Sequence, residues 1–380
     1  MTEVAAWLIV ALPAVATLML AIELAAGQWP VRPPPAPRGD PRIAVVIPAH
    51  DEEAAIAAAV AAARAAAPSG ARLLVVADNC TDGTAGRARA AGAEAIARDD
   101  VARRGKGFAL AFARDHLAAD PPDVVVVVDA DCAVAGDGIA RLAAAAHAQG
   151  RPVQSAYLMR PAPERGALVA LSGFAFLVRN LVRQRGLARL GAPALLTGSG
   201  MAFPWAAFAA APLATDDLAE DLAIGIALAR QGHPPVFVPQ VATWSDPARR
   251  GATRAQRGRW EQGFLRTARA TTLPLIATGR RPLVWLGLHL LVPPLALLLI
   301  VDGAVLALLA LLASPAPFAL LAALLGVTGA LLLLCWWRFG RDQLSAGRLL
   351  LIPVYVLWKL PLYLAAALRP ERRWIRTERD

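Results

Sequence analysis

Two textures of apolar sequence divide this 380-residue chain. Residues 4–26 (VAAWLIVALPAVATLMLAIELAA) are apolar all round and carry one charge, Glu23. At about 1.5 Å per residue such a run crosses a ~30 Å hydrocarbon layer, so residues 1–27 are expected to be an N-terminal transmembrane anchor. A cleaved signal peptide is the rival, but it needs a basic start and the chain begins Met1-Thr2-Glu3. Residues 28–42 contain PVRPPPAPRGDP, a stiff linker.

From Ile43 the texture changes. Short valine-rich runs, IAVVIPA (43–49), RLLVVAD (72–78) and DVVVVVDAD (123–131), alternate with alanine-rich stretches at 52–67, 84–92, 107–118 and 137–149. Runs apolar at every position predict strands buried on both faces, and the β-α-β-α-β alternation predicts a doubly wound α/β sheet. In such sheets ligands bind beyond the carboxyl ends of the strands. There the polar residues gather: His50-Asp51-Glu52, Asp78-Asn79, and Asp129 with Asp131.

The apolar texture returns after residue 280. From Pro282 to Trp337 the only charge is Asp302, and Pro293-Pro294 and Ser314-Pro315 break the run. The pattern predicts an interfacial helix at 283–292 and spans at 295–313 and 316–337. Residues 349–368 are apolar enough to cross, but Pro353, Lys359 and Pro361 argue for an interfacial or re-entrant segment. Asp302 is costly in a span unless it is buried in protein, hydrated or near the headgroups. The domains expected are an anchor (1–27), a linker (28–42), an α/β domain (43–280), a membrane region (281–368) and a basic tail (369–380).

Composition agrees. The chain is 57% hydrophobic and 18% charged, against about 25% charged for soluble domains. That excludes disorder, a collagen and a disulfide-stapled miniprotein. Cys80, Cys132 and Cys335 form no CxxC, so no zinc ribbon is expected. The net charge of +10 fits arginine on a cytoplasmic face better than a nucleic-acid partner: Arg32, Arg38 and Arg42 follow the first span, and Arg338, Arg341 and Arg348 the last. This predicts a multi-pass protein of a bacterial-type inner membrane with its α/β domain in the cytoplasm. The five histidines show no metal-ligand spacing and are expected at surface, loop or interface positions.

The sharpest chemistry is Asp129-Ala130-Asp131 at the tip of the valine strand. Carboxylates two apart suit Mg²⁺ or Mn²⁺, ions that bridge a diphosphate; the alternative is a solvated strand end. Lys106 lies between two glycines and is one of only two lysines, so it offers either a phosphate contact or an ordinary surface charge. Asp221 stands at the first turn of an amphipathic helix, where an acid is favoured by the helix dipole.

Several motifs stand in one order: VVIPAHDEE, VVADNCTDGT, RGKG (104–107), VVVVVDAD, TGSGMAF (197–203), AEDLAIGIAL (219–228) and QRGRW (256–260). Together they resemble the inverting membrane glycosyltransferases of family 2, which include cellulose, hyaluronan and chitin-oligosaccharide synthases. The resemblance implies a glycosyltransferase A fold, a doubly wound mixed sheet with N- and C-terminal transmembrane helices. It implies a hexosyl- or N-acetylhexosaminyltransferase, with a nucleotide-sugar donor, UDP-linked, bound with Mg²⁺ or Mn²⁺. It assigns Pro48, Ala49, Glu52, Asp78, Lys106, Asp129 and Arg259 to the donor, with Asp78 on the uracil edge. The metal goes to Asp131 with Asp129. Asp221 becomes the general base with Glu220 beside it, and Trp260, Gln256, Ser199 and Gly200 face the acceptor. Asp51 stands where many members have Asn, and Ala219 where they often have Thr or Ser. Residues 245–256 would be a mobile loop over the nucleotide. The acceptor is expected to be a growing polysaccharide, as Q-x-x-R-W favours; the alternative is a single transfer to a lipid such as a polyprenyl phosphate or diacylglycerol. A nucleotidyltransferase would want a Gly-rich phosphate loop after the first strand, which PAHDEEAAI lacks. A degenerate scaffold would lack one of Asp129, Asp131 and Asp221.

Overall fold

A computed structural model describes residues 2–34, 39–217, 219–247 and 250–368. Within them the strands are β1 (Ile43–Ala49), β2 (Arg72–Asp78), β3 (Glu94–Arg98), β4 (Val124–Val127), β5 (Cys132–Val134), β6 (Val153–Met159), β7 (Met201–Pro204) and β8 (Val236–Ser245). They form one mixed sheet in the order β3-β2-β1-β4-β7-β6-β8-β5. The strands β3, β2, β1 and β4 run parallel, and β7 enters antiparallel beside β4.

The unbroken apolar run of β1 is explained by its two covers. Ile43, Val45 and Ile47 pack on Ile56, Val60, Ile139 and Leu142 from the helices Ile56–Ala66 and Gly138–Gln149. Ala44 and Val46 pack on the other side with Leu110, Leu117, Ile224 and Leu228 from the helices Lys106–Leu117 and Glu220–Arg230. A strand that alternates faces between two cores has no position left for a polar residue. The polar residues therefore collect at the carboxyl ends.

The first two strands and the helices between the early strands lie where the sequence pattern puts them, to within a few residues. The valine strand is shorter than expected, since β4 stops at Val127 and leaves Asp129 and Asp131 in the turn. The helix Arg250–Ala277 occupies much of the stretch expected as a mobile loop at 245–256; residues 248–249 lie outside the described residues, as does the tail 369–380.

Among the described residues three helices are long and apolar enough to cross a membrane: Glu3–Gly27, Ala167–Leu190 and Pro315–Gly340. The helices Arg281–Leu290 and Leu295–Leu311 form a further pair bent by 70°, at the Pro293-Pro294 break. Leu8, Leu12, Leu311, Val327 and Leu333 leave large apolar surfaces exposed. Ala6, Val10 and Ala14 pack against Leu309 and Leu321. Asp302 is buried and accepts a 2.7 Å hydrogen bond from Thr17 Oγ1. Lys359, which the sequence counted against a span, is buried and paired with Glu261 in the helix Ile352–Leu368.

Ala167–Leu190 is the helical unit that the sequence pattern did not announce. Its middle, Val178–Arg183, is a wider π turn, a feature frequent at functional sites. Ala170, Leu171, Phe174, Leu177 and Val182 pack with Leu20 and Leu24 of the first helix and with Ala156 and Leu158 of β6. It thus stands between the apolar helices and the sheet.

Candidate active site

The loops after β1 and β2 form the nucleotide side. Each opens with a residue at positive φ, Asp51 and Asn79, both at 52°, a conformation that Asp and Asn tolerate better than most. Their side chains tie the loops together. Asp51 Oδ1 accepts the Thr81 N–H at 2.6 Å, and Asn79 Oδ1 accepts the Asp100 N–H at 2.8 Å. Asp51, the departure from the family pattern, is therefore a loop tie. Asp78 is buried, and Arg98 Nη1 donates to its Oδ1 at 2.5 Å. His50, expected at a surface or loop position, lies against the site: its Nδ1 is 2.7 Å from the Asp78 carbonyl oxygen.

The reacting side is built by β4, the loop before β7 and the start of the helix Glu220–Arg230. Lys106 Nζ bonds the Asp129 carboxylate and donates to the Gly198 carbonyl oxygen at 2.6 Å. Gly198 has φ +90°, and a methyl carbon built on it would stand 3.3 Å from Lys106 Nζ, 3.4 Å from Asp221 Oδ2 and 3.8 Å from Asp129 Oδ2. Three charged groups from three elements thus meet at one backbone position. Asp221 Oδ1 accepts the Leu222 N–H at 2.8 Å, so one oxygen serves the helix start and the other faces the cluster. The two sequence readings of Asp221 are thus compatible.

Burial pushes the Asp221 carboxyl above its ordinary pKa, partly offset by Lys106. Glu220 is pushed up to about 8 by burial and then by Asp221. Burial opposes the charge on Lys106, yet Asp129 and Glu220 hold its pKa above the usual lysine value. The site therefore sets Lys106 among acids that resist ionising together, with Arg104 and Arg179 also on the cavity lining.

These groups line a cavity of about 310 Å³. Pro48, Ala49, Glu52, Asp78, Lys106, Asp129, Asp131, Glu220, Asp221 and Trp260, all expected from the sequence, line it. Ser199 and Gly200 do not. Ser199 is fully buried, and its Oγ accepts the Asp129 N–H at 3.1 Å. A methyl carbon on Gly200 would lie 2.1 Å from both Ser155 Oγ and Thr243 Oγ1. Their place is beneath the site. The side chains of Gln256 and Arg259 lie outside the described ones.

Part of the cavity wall is aromatic. Phe176 meets Trp260 at 5.8 Å between centroids and Tyr157 edge-on at 5.2 Å. Arg179 and Asn180 complete it, with Arg179 stacked 5.3 Å over Phe264. Sequence reading missed Tyr157, Phe176, Arg179 and Asn180.

Ligand atoms of Asp129, Asp131 and Cys132 fall within 4.8 Å of one another. Burial, then Asp131, pushes the Cys132 thiol well above its ordinary pKa, which keeps it protonated and a poor ligand. The effective donors are carboxylate oxygens, the set that a hard divalent cation takes. Both carboxylates carry contacts, Asp129 with Lys106 and Asp131 with Cys132 Sγ, which lies 3.5 Å from its Oδ1.

Comparison with known proteins gives a family and a fold. The family model described as "Glycosyltransferase like family 2" matches residues 41–263. A mannosyltransferase from Pyrobaculum calidifontis, solved with GDP-Man and Mn²⁺, has a similar fold: TM-score 0.55 at 21% identity, over 92% of this chain and 99% of that one. Glucosyl-3-phosphoglycerate synthase from Mycobacterium tuberculosis, solved with Mn²⁺, UDP and phosphoglyceric acid, aligns with TM-score 0.36 at 22% identity, over 59% of this chain and 78% of that one. No curated protein matches the chain.

Proposed function

The chain belongs to the glycosyltransferase-like family 2, and from that premise we propose that it moves a sugar from a nucleotide-sugar donor to an acceptor hydroxyl, with inversion, at the cytoplasmic face of a membrane. The observation that carries this reading is the convergence of Lys106, Asp129 and Asp221 around Gly198, inside a cavity faced by Trp260.

The nucleotide lies between the β1 and β2 loops, its base against Asp78. Asp131, with Asp129, would hold Mg²⁺ or Mn²⁺, which supplies charge neutralisation at the diphosphate. Lys106 adds a fixed positive charge there. Arg259 is assigned to the leaving diphosphate by its motif. Asp221 accepts the proton of the acceptor hydroxyl as that oxygen bonds the anomeric carbon and the bond to the diphosphate breaks. Burial raises its pKa above the ordinary aspartate value, so it holds a proton more tightly than an exposed carboxylate. Glu220 stays largely protonated beside it, so Asp221 is the better base of the two.

The aromatic wall of Trp260 and Phe176 fits the apolar face of a sugar ring, which favours a saccharide acceptor and a growing polymer. A second reading, one transfer to a membrane lipid, is favoured by the packing of the apolar helices. Ala6, Val10, Leu309 and Leu321 fill the space between them, where a polymer would need an open passage. The exposed apolar belt supports membrane embedding in both readings.

Purified protein in lipid, given a panel of UDP-sugars and GDP-mannose, tests the reading. The expected product is an acceptor heavier by one sugar, or a ladder of such masses for a polymer. Consumption of no nucleotide sugar, or hydrolysis alone, would contradict it.

A further inference from the structure

Glu23 is the one charged residue of the first apolar run, and it is completely buried. Arg183 Nε donates to its Oε2 at 2.6 Å, and His289 Nδ1 lies 2.7 Å from its Oε1. Because an ionised carboxylate only accepts, Nδ1 carries the proton there. Its 3.1 Å approach to Arg183 Nη2 is then a contact of two donors, not a hydrogen bond between them. One acid thus serves both partners. Arg183 and His289 are 7% and 1% exposed. The triad joins the first helix, the π turn of Ala167–Leu190 and the helix Arg281–Leu291.

The same crossing is locked sterically. A methyl carbon on Gly27 would lie 2.1 Å from the Val182 carbonyl oxygen, and one on Gly186 would lie 2.3 Å from the Glu23 carbonyl oxygen. Glycines on both helices let the two backbones touch, one on each side of the ion cluster. A plain tether needs neither the contact nor the charges, which are costly to bury.

The clamped segment is the one that builds the acceptor wall. Phe176, on Trp260, lies seven residues before Arg183, and Arg179 and Asn180 line the cavity four and three residues before it. We propose that the N-terminal helix is a working part of the acceptor side of this site: through Glu23, Arg183 and His289 it fixes the π turn that presents Arg179 and Asn180, and with it the end of the preceding helical turn that carries Phe176. These are positioning residues, since they touch no reacting atom. The functional half of the proposal rests on the glycosyltransfer reading above; the mechanical half does not.

The test exploits a property of buried ion clusters. Removing one partner strands a charge, but replacing the whole cluster with apolar side chains is often neutral or stabilising. The triple variant Glu23→Leu, Arg183→Met, His289→Leu should fold. It should lose about 10- to 100-fold in acceptor kcat/KM, the scale of a misplaced binding group, while donor Kd stays within about twofold. Hydrogen exchange over residues 176–183 should speed up, with β4 unchanged. Glu23→Gln, which keeps the shape, should move both readouts the same way by less, and serves if the triple variant does not fold. Thr17→Val with Asp302→Leu removes the first helix's other buried polar contact and should move neither. Folded triple variant with wild-type turnover and wild-type exchange would overturn the proposal, as would equal losses in the Thr17/Asp302 variant. Exchange needs no substrate, so a wild type inactive on every sugar would sink the glycosyltransfer reading and still leave the clamp decided.

Discussion

The hydroxyl of Ser199 accepts a hydrogen bond from the backbone N–H of Asp129 at 3.1 Å. The motif that family likeness assigns to the acceptor thus holds the Asp129–Asp131 turn, proposed above to bind the metal, from below. A buried N–H left without its partner costs roughly 1–3 kcal/mol. Ser199→Ala should therefore weaken donor and metal binding by about tenfold, at 1.4 kcal/mol per tenfold, and leave acceptor KM nearly unchanged. Calorimetry with UDP-sugar and Mn²⁺, beside acceptor kinetics, separates the two. A selective rise in acceptor KM would return Ser199 to the acceptor.

The two loop glycines should fail differently. Gly200→Ala puts a carbon 2.1 Å from two buried hydroxyl oxygens at φ +69°, so the sheet must shift and the folded yield should drop. Gly198→Ala meets the flexible tips of Lys106 and Asp221 at 3.3 and 3.4 Å, at φ +90°. That protein should fold, with a loss of roughly 1–3 kcal/mol from backbone strain, and lose most of its turnover. Thermal melts and initial rates on both variants check the contrast.

How much of this was legible in the sequence depended on whether a residue's neighbours were local. β1 and β2 announced themselves because both faces are covered, leaving apolar runs with polar ends. β3 did not: EAIAR pairs only with β2 at the sheet edge, so Glu94 and Arg98 keep partial exposure and no run forms. Lys106, Asp129, Asp131 and Asp221 each sit in a short motif whose chemistry needs those types. Phe176, Arg179 and Asn180 carry no such signal. They reach the cavity because their helix packs on β6 and on the first helix, which it meets where Val182 touches Gly27, 155 residues earlier in the sequence. His289 and Glu23 were hidden for the same reason, each unremarkable until the other is brought beside it.

Metal dependence should concentrate at Asp131. Asp131→Asn replaces a carboxylate with a neutral amide, a poor ligand for a hard cation. Turnover should vanish and metal-dependent donor binding should fall with it. Full activity in EDTA would contradict this assignment.

The raised acids set a pH signature. Glu220 has a folded-state pKa of about 8 against an ordinary value of 4.5. Below 4.5 both states are protonated and nothing is lost. Between 4.5 and 8 the unfolded chain ionises first, so the folded state loses stability as pH rises. In metal-free protein Glu220→Gln should therefore raise Tm at pH 8.5 and leave it unchanged near pH 4.5. A Tm difference that grew toward acid would refute the shift.

The account rests most heavily on Asp221 as the base. Asp221→Asn keeps the side-chain shape and its bond to the Leu222 N–H but cannot take a proton. Its kcat should fall by about 10²–10⁴, the range for general-base catalysis. UDP-sugar affinity by calorimetry should change little, since Asp78, Lys106 and Asp131 hold the donor. Turnover within about tenfold of wild type, with donor affinity intact, would contradict the account and make Asp221 a helix-start acid.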